Sequence, residues 1–259
     1  MNLRFSTFKK VCYTVLLSLF FTACASREDV VYMQNAKKFE TVVNTDTFEP
    51  KLKVDDILSI YVSASDPESV KPFNLIKGIT NTGNPQELDY LIDKEGNIDF
   101  PVLGKVELVG LTTEQAKQKI REILQKDYLK DPIVNMRIKN FRVTILGEVN
   151  KPGTYTVDSE RVTIFEALGL AGDLKIKGKR DNVLVIRDFN GTKTYTRVDL
   201  TSKALINSPV YFLTQNDVVY VEPNKSAITS ASLDNRVTIA VSILSMLVTS
   251  AVVIITNSN

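Results

Sequence analysis

Few residues of this chain are of a type that performs covalent chemistry. Histidine and tryptophan are absent, and Cys12 and Cys24 are the two cysteines. That inventory rules out imidazole-dependent triads and Cys/His metal sites. Carboxylates remain, and Asp55–Asp56 is the nearest thing to an acid–base pair. Neighbours on an extended strand point to opposite faces, so Asp56 reads as the entry to a strand. No catalytic residue, metal ligand or cofactor contact is assigned. The residue whose position implies chemistry is Cys24, through modification.

Cys24 ends a segment of defined character. Arg4, Lys9 and Lys10 precede the apolar run Val11–Phe21, and the small residues Thr22 and Ala23 follow it. A basic start, a short apolar run and small residues at the cut describe a signal peptide over 1–23. About a dozen apolar residues fall short of the roughly 30 Å of bilayer hydrocarbon. Phe21-Thr-Ala-Cys24 resembles a bacterial lipobox. Acylation of Cys24 with palmitate-type chains would hold the mature protein on a membrane, at ~0.8 kcal/mol per buried CH₂. No Asp follows Cys24, which in lipoproteins goes with the outer membrane. The bland alternative is a free thiol in a secreted chain.

The other end carries no charged side chain after Arg236. Val237 to Thr256, at 1.5 Å per residue, makes about 30 Å of helix, enough to cross a bilayer once. A transmembrane helix is therefore expected over 237–259, with a buried core helix as the alternative. On a helix, Thr238, Ser242, Ser245, Thr249 and Thr256 fall within an arc of about 60°. Such a stripe packs helices closely or lines a wetted lumen, and the residues alone leave both open.

Charge says what the middle of the chain does not bind. The 32 basic residues face 30 acidic ones, and three of the basic ones lie in the leader. A body of 29 against 30 gives no electrostatic footing for nucleic acid. The run Lys175–Lys179 reads as a solvated face.

The elements that position these residues form two α+β units. Residues 24–47 have few periodic apolar positions and read as a tether. Leu58, Ile60 and Val62 alternate with Ser59 and Tyr61, the pattern of a half-buried strand. Asp66 to Glu87 reads as a long loop, and Asp93–Asn97 as the turn of a hairpin that folds Leu91–Ile98 back. Thr112 and Gln115 have capping-box spacing, and Ala116, Ile120, Ile123, Leu124 and Tyr128 share a helix face. Asp131-Pro132 stops that helix.

The second unit starts with Phe141, Val143 and Ile145 on one strand face. Pro152 and Gly153 occupy the positions a type II turn favours, and Thr154–Val157 returns as the partner strand. Thr163 and Glu166 make a second capping box, and Gly172 suits the left-handed position after a helix. Strands at 183–186, 195–198 and 218–221 complete a β-grasp-like order. Residues 223–236 are rich in Ser and Asn and read as a linker. Asp56 and Asp217 each open a strand, a local echo too short to be a repeat.

Six stretches, in order, resemble the outer-membrane polysaccharide export family, whose models are the Wza-type capsule translocons. They are Leu52–Ile60, Asp99-Phe-Pro101-Val-Leu-Gly104, Val109–Glu114, Leu146-Gly147–Gly153, Glu166–Gly172 and Asn216–Pro223. The resemblance implies a polysaccharide-export domain at 48–140 and a soluble-ligand-binding β-grasp (SLBB) domain at 141–222. It further implies a non-enzymatic, homo-oligomeric ring of lipoprotein subunits whose C-terminal helices form a porin-like channel in the outer membrane. Capsular or exopolysaccharide would be its substrate, and an inner-membrane co-polymerase/tyrosine kinase its partner. One Gly-Glu-Val-x-Lys-Pro-Gly unit is present where the model translocon has two, so a shorter periplasmic body is expected. The alternative is a membrane-anchored SLBB ligand-binding or scaffold lipoprotein without a pore.

Overall fold

The computed structural model describes residues 30–37, 49–79, 85–189, 191–232 and 235–257. Cys24 and the leader lie outside the described residues.

The first unit is built on a three-stranded antiparallel sheet of β4 (Asp89–Leu91), β1 (Ile57–Ser63) and β7 (Ile133–Ile138), in that order. Leu58, Ile60 and Val62 point into the core as their alternation requires. Helix α1 (Thr113–Asp127) packs Ala116, Ile120 and Leu124 against the same core. Its capping box forms in both directions: the Gln115 amide donates to Thr112 Oγ1 at 3.2 Å, and the Thr112 amide donates to Gln115 Oε1 at 3.0 Å. The helix stops at Asp127, ahead of Asp131-Pro132, and Tyr128 caps it half-exposed, with its ring edge-on to Phe73.

The Asp93–Asn97 turn exists, with the Gly96 amide donating to Asp93 O and Gly96 at φ 86°. It does not close a hairpin between its flanking strands: β4 pairs with β1, and β5 (Asn97–Phe100) pairs with the strand that follows it. The hairpin lies one strand later, between β5 and β6 (Gly104–Glu107), with Pro101 starting its turn and Gly104 opening β6 opposite Phe100. The long loop at 66–87 also holds a bulged pair, β2 (Ile76–Ile79) with β3 (Pro85–Glu87).

The second unit is a five-stranded sheet in the order β12 (Thr192–Val198), β11 (Val183–Phe189), β14 (Val218–Val221), β8 (Arg142–Gly147), β9 (Gly153–Thr156). β14 runs parallel to β8 and every other pairing is antiparallel. Helix α2 (Ile164–Leu170) buries Ile164, Ala167 and Leu168 in the same core as Val143, Ile145 and Val219. Its Thr163–Glu166 capping box forms, and Gly172 takes φ 72° with the Asp173 amide reaching back to Leu168 O. A two-stranded ribbon, β10 (Val162–Thr163) with β13 (Phe212–Leu213), ties α2 to the far side of the chain.

The type II turn at Pro152–Gly153 is not formed. Gly153 is a strand residue paired with Ile145, and its φ is not positive. The Asn150 and Lys151 amides are drawn instead to Asp173 O and Ala171 O, which spreads the connection into a broad loop stitched onto the end of α2. The glycine whose conformation matters is Gly147, at φ 91°, where an added Cβ would lie 2.0 Å from Val221 O.

Residues 30–37, expected to be part of a tether, dock on the second unit. The linker read at 223–236 is largely helical, as α3 (Lys225–Ser232), and leads into α4 (Asn235–Asn257). The helix expected over the uncharged tail is therefore present. As a membrane crossing it is not shown: among the described residues no helix is long and apolar enough to cross a membrane.

Candidate functional site

The two units meet through a buried polar node that begins with an aspartate. In the second unit, Asn216 sits at φ 63° and turns the chain so that Asp217 faces inward, fully buried. Its carboxylate accepts from the Thr214 amide at 2.8 Å and the Thr214 hydroxyl at 2.9 Å. The Arg187 guanidinium, from β11, clamps it with Nε at 3.1 Å from both oxygens and Nη2 at 2.7 Å. Arg187 also donates to the Pro209 and Phe212 carbonyls, so its charge is fully engaged. A buried ion pair held by this many hydrogen bonds offsets the cost of its desolvation.

The first unit contributes a lysine to the node. The Lys53 ammonium, with the residue only 7 % exposed, donates to Asp188 O at 2.8 Å, Thr214 Oγ1 at 3.0 Å and Gln215 O at 3.0 Å. Three protons meet three acceptors, all on the second unit. Burial lowers the Lys53 pKa from its ordinary value, and Asp217 opposes that shift. A second bridge runs through Asn140, at the junction. Its side chain accepts from the Ile57 amide and donates to Asp55 O, both at 2.9 Å, while its carbonyl accepts from Gln215 Nε2 at 2.7 Å. The units are therefore joined by side chains whose polar atoms are already paired. Nothing in the node is poised to react.

Beside it lies an open cleft of about 940 Å³. Asp55, Lys94 and Glu95 line it from the first unit, and Asp188, Lys193 and the exposed Tyr195 from the second. Acids and bases are balanced across its walls. Among the described residues no group of three His, Cys, Asp or Glu side chains could hold a metal.

Asp56 stands at the same turn in the first unit, and its pKa is pushed up to about 6 by burial against the opposing hydrogen bond from the Lys53 amide. The remaining structural positions, Pro101 with Gly104 and Pro152 with Gly153, lie at loop ends away from the node.

The C-terminal stripe forms a second candidate surface. Ser242, Ser245 and Thr249 lie along one face of α4 and are exposed; the side chains of Thr238 and Thr256 are outside the described set. Ser245 donates to Ser242 O at 2.8 Å and Thr249 to Ser245 O at 2.7 Å. Back-bonding of this kind satisfies hydroxyl protons without water. Around them Leu244, Met246 and Leu247 are 62 %, 74 % and 61 % exposed. A contiguous apolar surface of this sort calls for a cover, in lipid or in other copies.

Sequence reasoning found Asp56 and Asp217 as an echo but missed Lys53, Asn140, Arg187 and Gln215. No spacing marks them, since their partners lie between 73 and 162 residues away in sequence or across a sheet. Lys53 carries one legible signal: it stands three residues before Asp56, as Thr214 stands before Asp217.

Comparison with known proteins places these units. Residues 45–139 match the family model of polysaccharide biosynthesis/export proteins, and residues 142–197 match the SLBB domain. Over 191 residues the chain is 29 % identical to the EPS I polysaccharide export outer membrane protein EpsA of Ralstonia solanacearum. The namesake protein of Ralstonia nicotianae matches equally. Each alignment covers 68 % of this chain and 48 % of the relative, so the chain spans about half the length of the curated relatives it matches.

Proposed function

Given that this chain belongs to the polysaccharide export family, we propose that it is a lipid-anchored subunit of an oligomeric outer-membrane channel for capsular or exopolysaccharide. Cys24 carries the acyl chains, the two α+β units stand in the periplasm, and α4 crosses the membrane. An inner-membrane co-polymerase/tyrosine kinase hands the polymer to the ring. The chain performs no covalent chemistry on it.

The observation that carries this reading is α4 following the two family domains. It is a helix of 23 residues with no charge after Arg236 and with its described side chains exposed. A helix with such a surface is unstable in water alone. A single helix encloses nothing, so a passage requires a closed ring of copies with cyclic symmetry. The narrow hydroxyl face then turns to the lumen, its flanks to neighbours and its back to lipid.

Images of detergent-extracted particles test the proposal. Rings are the expected outcome, and truncation after Arg236 is expected to leave folded periplasmic protein in a cell without surface polysaccharide. Monodisperse monomers, or normal surface polysaccharide in the truncated strain, would remove the pore. One observation favours the second reading, an anchored SLBB ligand-binding or scaffold lipoprotein: the cleft between the units is large and open in a single copy.

A further inference from the structure

Three separate parts of the chain converge on one end of the SLBB unit. The first is the N-terminal strap, residues 30–37. The Met33 and Gln34 amides donate to Leu200 O and Thr201 O at 3.1 and 2.7 Å, and Asn35 Oδ1 accepts from the Lys203 amide at 2.7 Å. The Tyr32 ring stands edge-on to Phe165 at 5.5 Å with the Arg180 guanidinium 5.4 Å over its face, and its hydroxyl donates to Asp173. The second part is the loop Asp173–Arg180, whose two ends are those same partners of Tyr32. The third is α3, the exit towards the tail: Lys177 Nζ donates to Ser230 Oγ at 2.8 Å, and the Asn224 amide donates to Lys177 O at 2.8 Å.

The loop between strap and exit helix has an unusual surface. Leu174 is buried and Gly178 is pinned, its amide on Lys175 O and its Cα so close to Glu148 O that a Cβ would come within 2.8 Å. Between those fixed points Lys175, Ile176 and Lys177 point outward, with Ile176 64 % exposed. Lys179 is half-exposed beside them. Of the neighbouring acids, Asp173 is taken by Tyr32 and the Leu174 amide, and Glu222 by Arg197 and Asn182. Asp173 and Asp181 are exposed, and Glu148, whose carbonyl holds the Lys175 amide, is half-buried. The result is a rigid isoleucine tip within a ring of lysines, not a floppy solvated run.

We propose that this loop is a membrane-contact surface, with Ile176 entering the interfacial region of an anionic bilayer and Lys175 and Lys179 meeting its phosphates. It rests on the anchored reading of the chain. Chain length places the surface: Tyr32 is eight Cα steps beyond Cys24, so an acylated Cys24 holds the strap within about 28 Å of the membrane. The exit helix beside the loop feeds α4 within three residues of its end. An apolar side chain flanked by lysines is the chemistry that an anionic interface binds. Both membrane attachments leaving from this end orient the loop towards the bilayer.

The absence of tryptophan from the chain gives a clean reporter. Ile176→Trp and, as a control on the export unit's outer sheet face, Tyr61→Trp are introduced singly into the full mature chain, with parental melting midpoints confirming the fold. Each is reconstituted into vesicles of phosphatidylethanolamine with phosphatidylglycerol. Emission from position 176 is expected to shift to the blue and to be quenched by brominated lipid, while that from position 61 stays unchanged. Adding Lys175→Glu and Lys179→Glu is expected to abolish the shift, and phosphatidylcholine alone is expected to weaken it. A chain that floats with the vesicles but keeps Trp emission at 176 in water overturns the proposal and leaves the anchored reading standing. A chain that does not float at all overturns both. A shift of equal size on zwitterionic phosphatidylcholine overturns the preference for an anionic surface.

Discussion

Asp56 and Asp217 occupy the same turn in two different domains. Each follows a residue in the left-handed region, Asp55 at φ 69° and Asn216 at φ 63°. Each accepts, at 2.8 Å, the amide of the residue three places back, Lys53 or Thr214. Each is buried and opens a core strand. They part company at the second carboxylate oxygen. Asp217 gives its oxygens to Arg187 and the Thr214 hydroxyl, whereas Asp56 Oδ1 is buried with no hydrogen-bond partner. The same backbone device thus carries a satisfied charge in one domain and a poorly accommodated one in the other. The two turns also touch, because Lys53 from the first turn donates to Thr214 and Gln215 of the second. The first turn spends its cation on its twin, and its own carboxylate goes without.

The largest effect is expected where the charge is satisfied. Asp217→Asn leaves the buried Arg187 guanidinium with a neutral partner, and losing one member of a buried pair costs about 3–5 kcal/mol. Urea titration should show a large drop in midpoint at pH 7. An unchanged midpoint would mean that the Arg187 carbonyl contacts suffice by themselves.

Lys53→Met is expected to come next, at about 2–3 kcal/mol, because the Asp188 and Gln215 carbonyls lose a buried donor. Its signature differs in kind. Lys53 joins the units, so its loss should split one unfolding transition into two, whereas Asp217→Asn should weaken the SLBB unit first. A single transition in the Lys53 variant would show that Asn140 and Gln215 carry the coupling.

Much of the scaffold behind this comparison was legible in the sequence. The Leu58–Ile60–Val62 alternation, both capping boxes and the Gly172 cap are local patterns, and each formed as spacing alone demands. What failed were readings in which tertiary partners claim a local group. The carbonyls of Ala171 and Asp173 open the Pro152–Gly153 turn, and the strand after Asp93–Asn97 pairs with β6 instead of β4. The polar node was legible at its aspartates, where the motif is a three-residue turn, and not at Lys53 or Arg187, whose roles are set by folding distant strands together. The strap has the sequence of a tether for the same reason: Tyr32 has no local periodicity and is held by Phe165, Asp173 and Arg180.

The smallest predicted effect is the one that separates the two turns by sign. The Asp56 carboxyl is raised by burial to about 6, above the 3.8 of the unfolded chain. A carboxyl with a raised folded pKa contributes stability when protonated. That contribution is fully present below about pH 4 and is lost as pH climbs through about 6, where the folded protein must ionise a buried group. The loss amounts to at most about 3 kcal/mol once pH is well above 6. Asp56→Asn keeps an oxygen for the Lys53 amide and carries no charge at any pH. It should therefore unfold at a higher urea concentration than the parent at pH 8, and the two should converge near pH 4. Asn at 217 destabilises while Asn at 56 stabilises, although backbone, burial and substitution are the same. If Asp56→Asn is less stable than the parent at pH 8, the Lys53 ammonium holds the Asp56 charge through the protein interior, and the two turns form one coupled network instead of a satisfied and an unsatisfied copy.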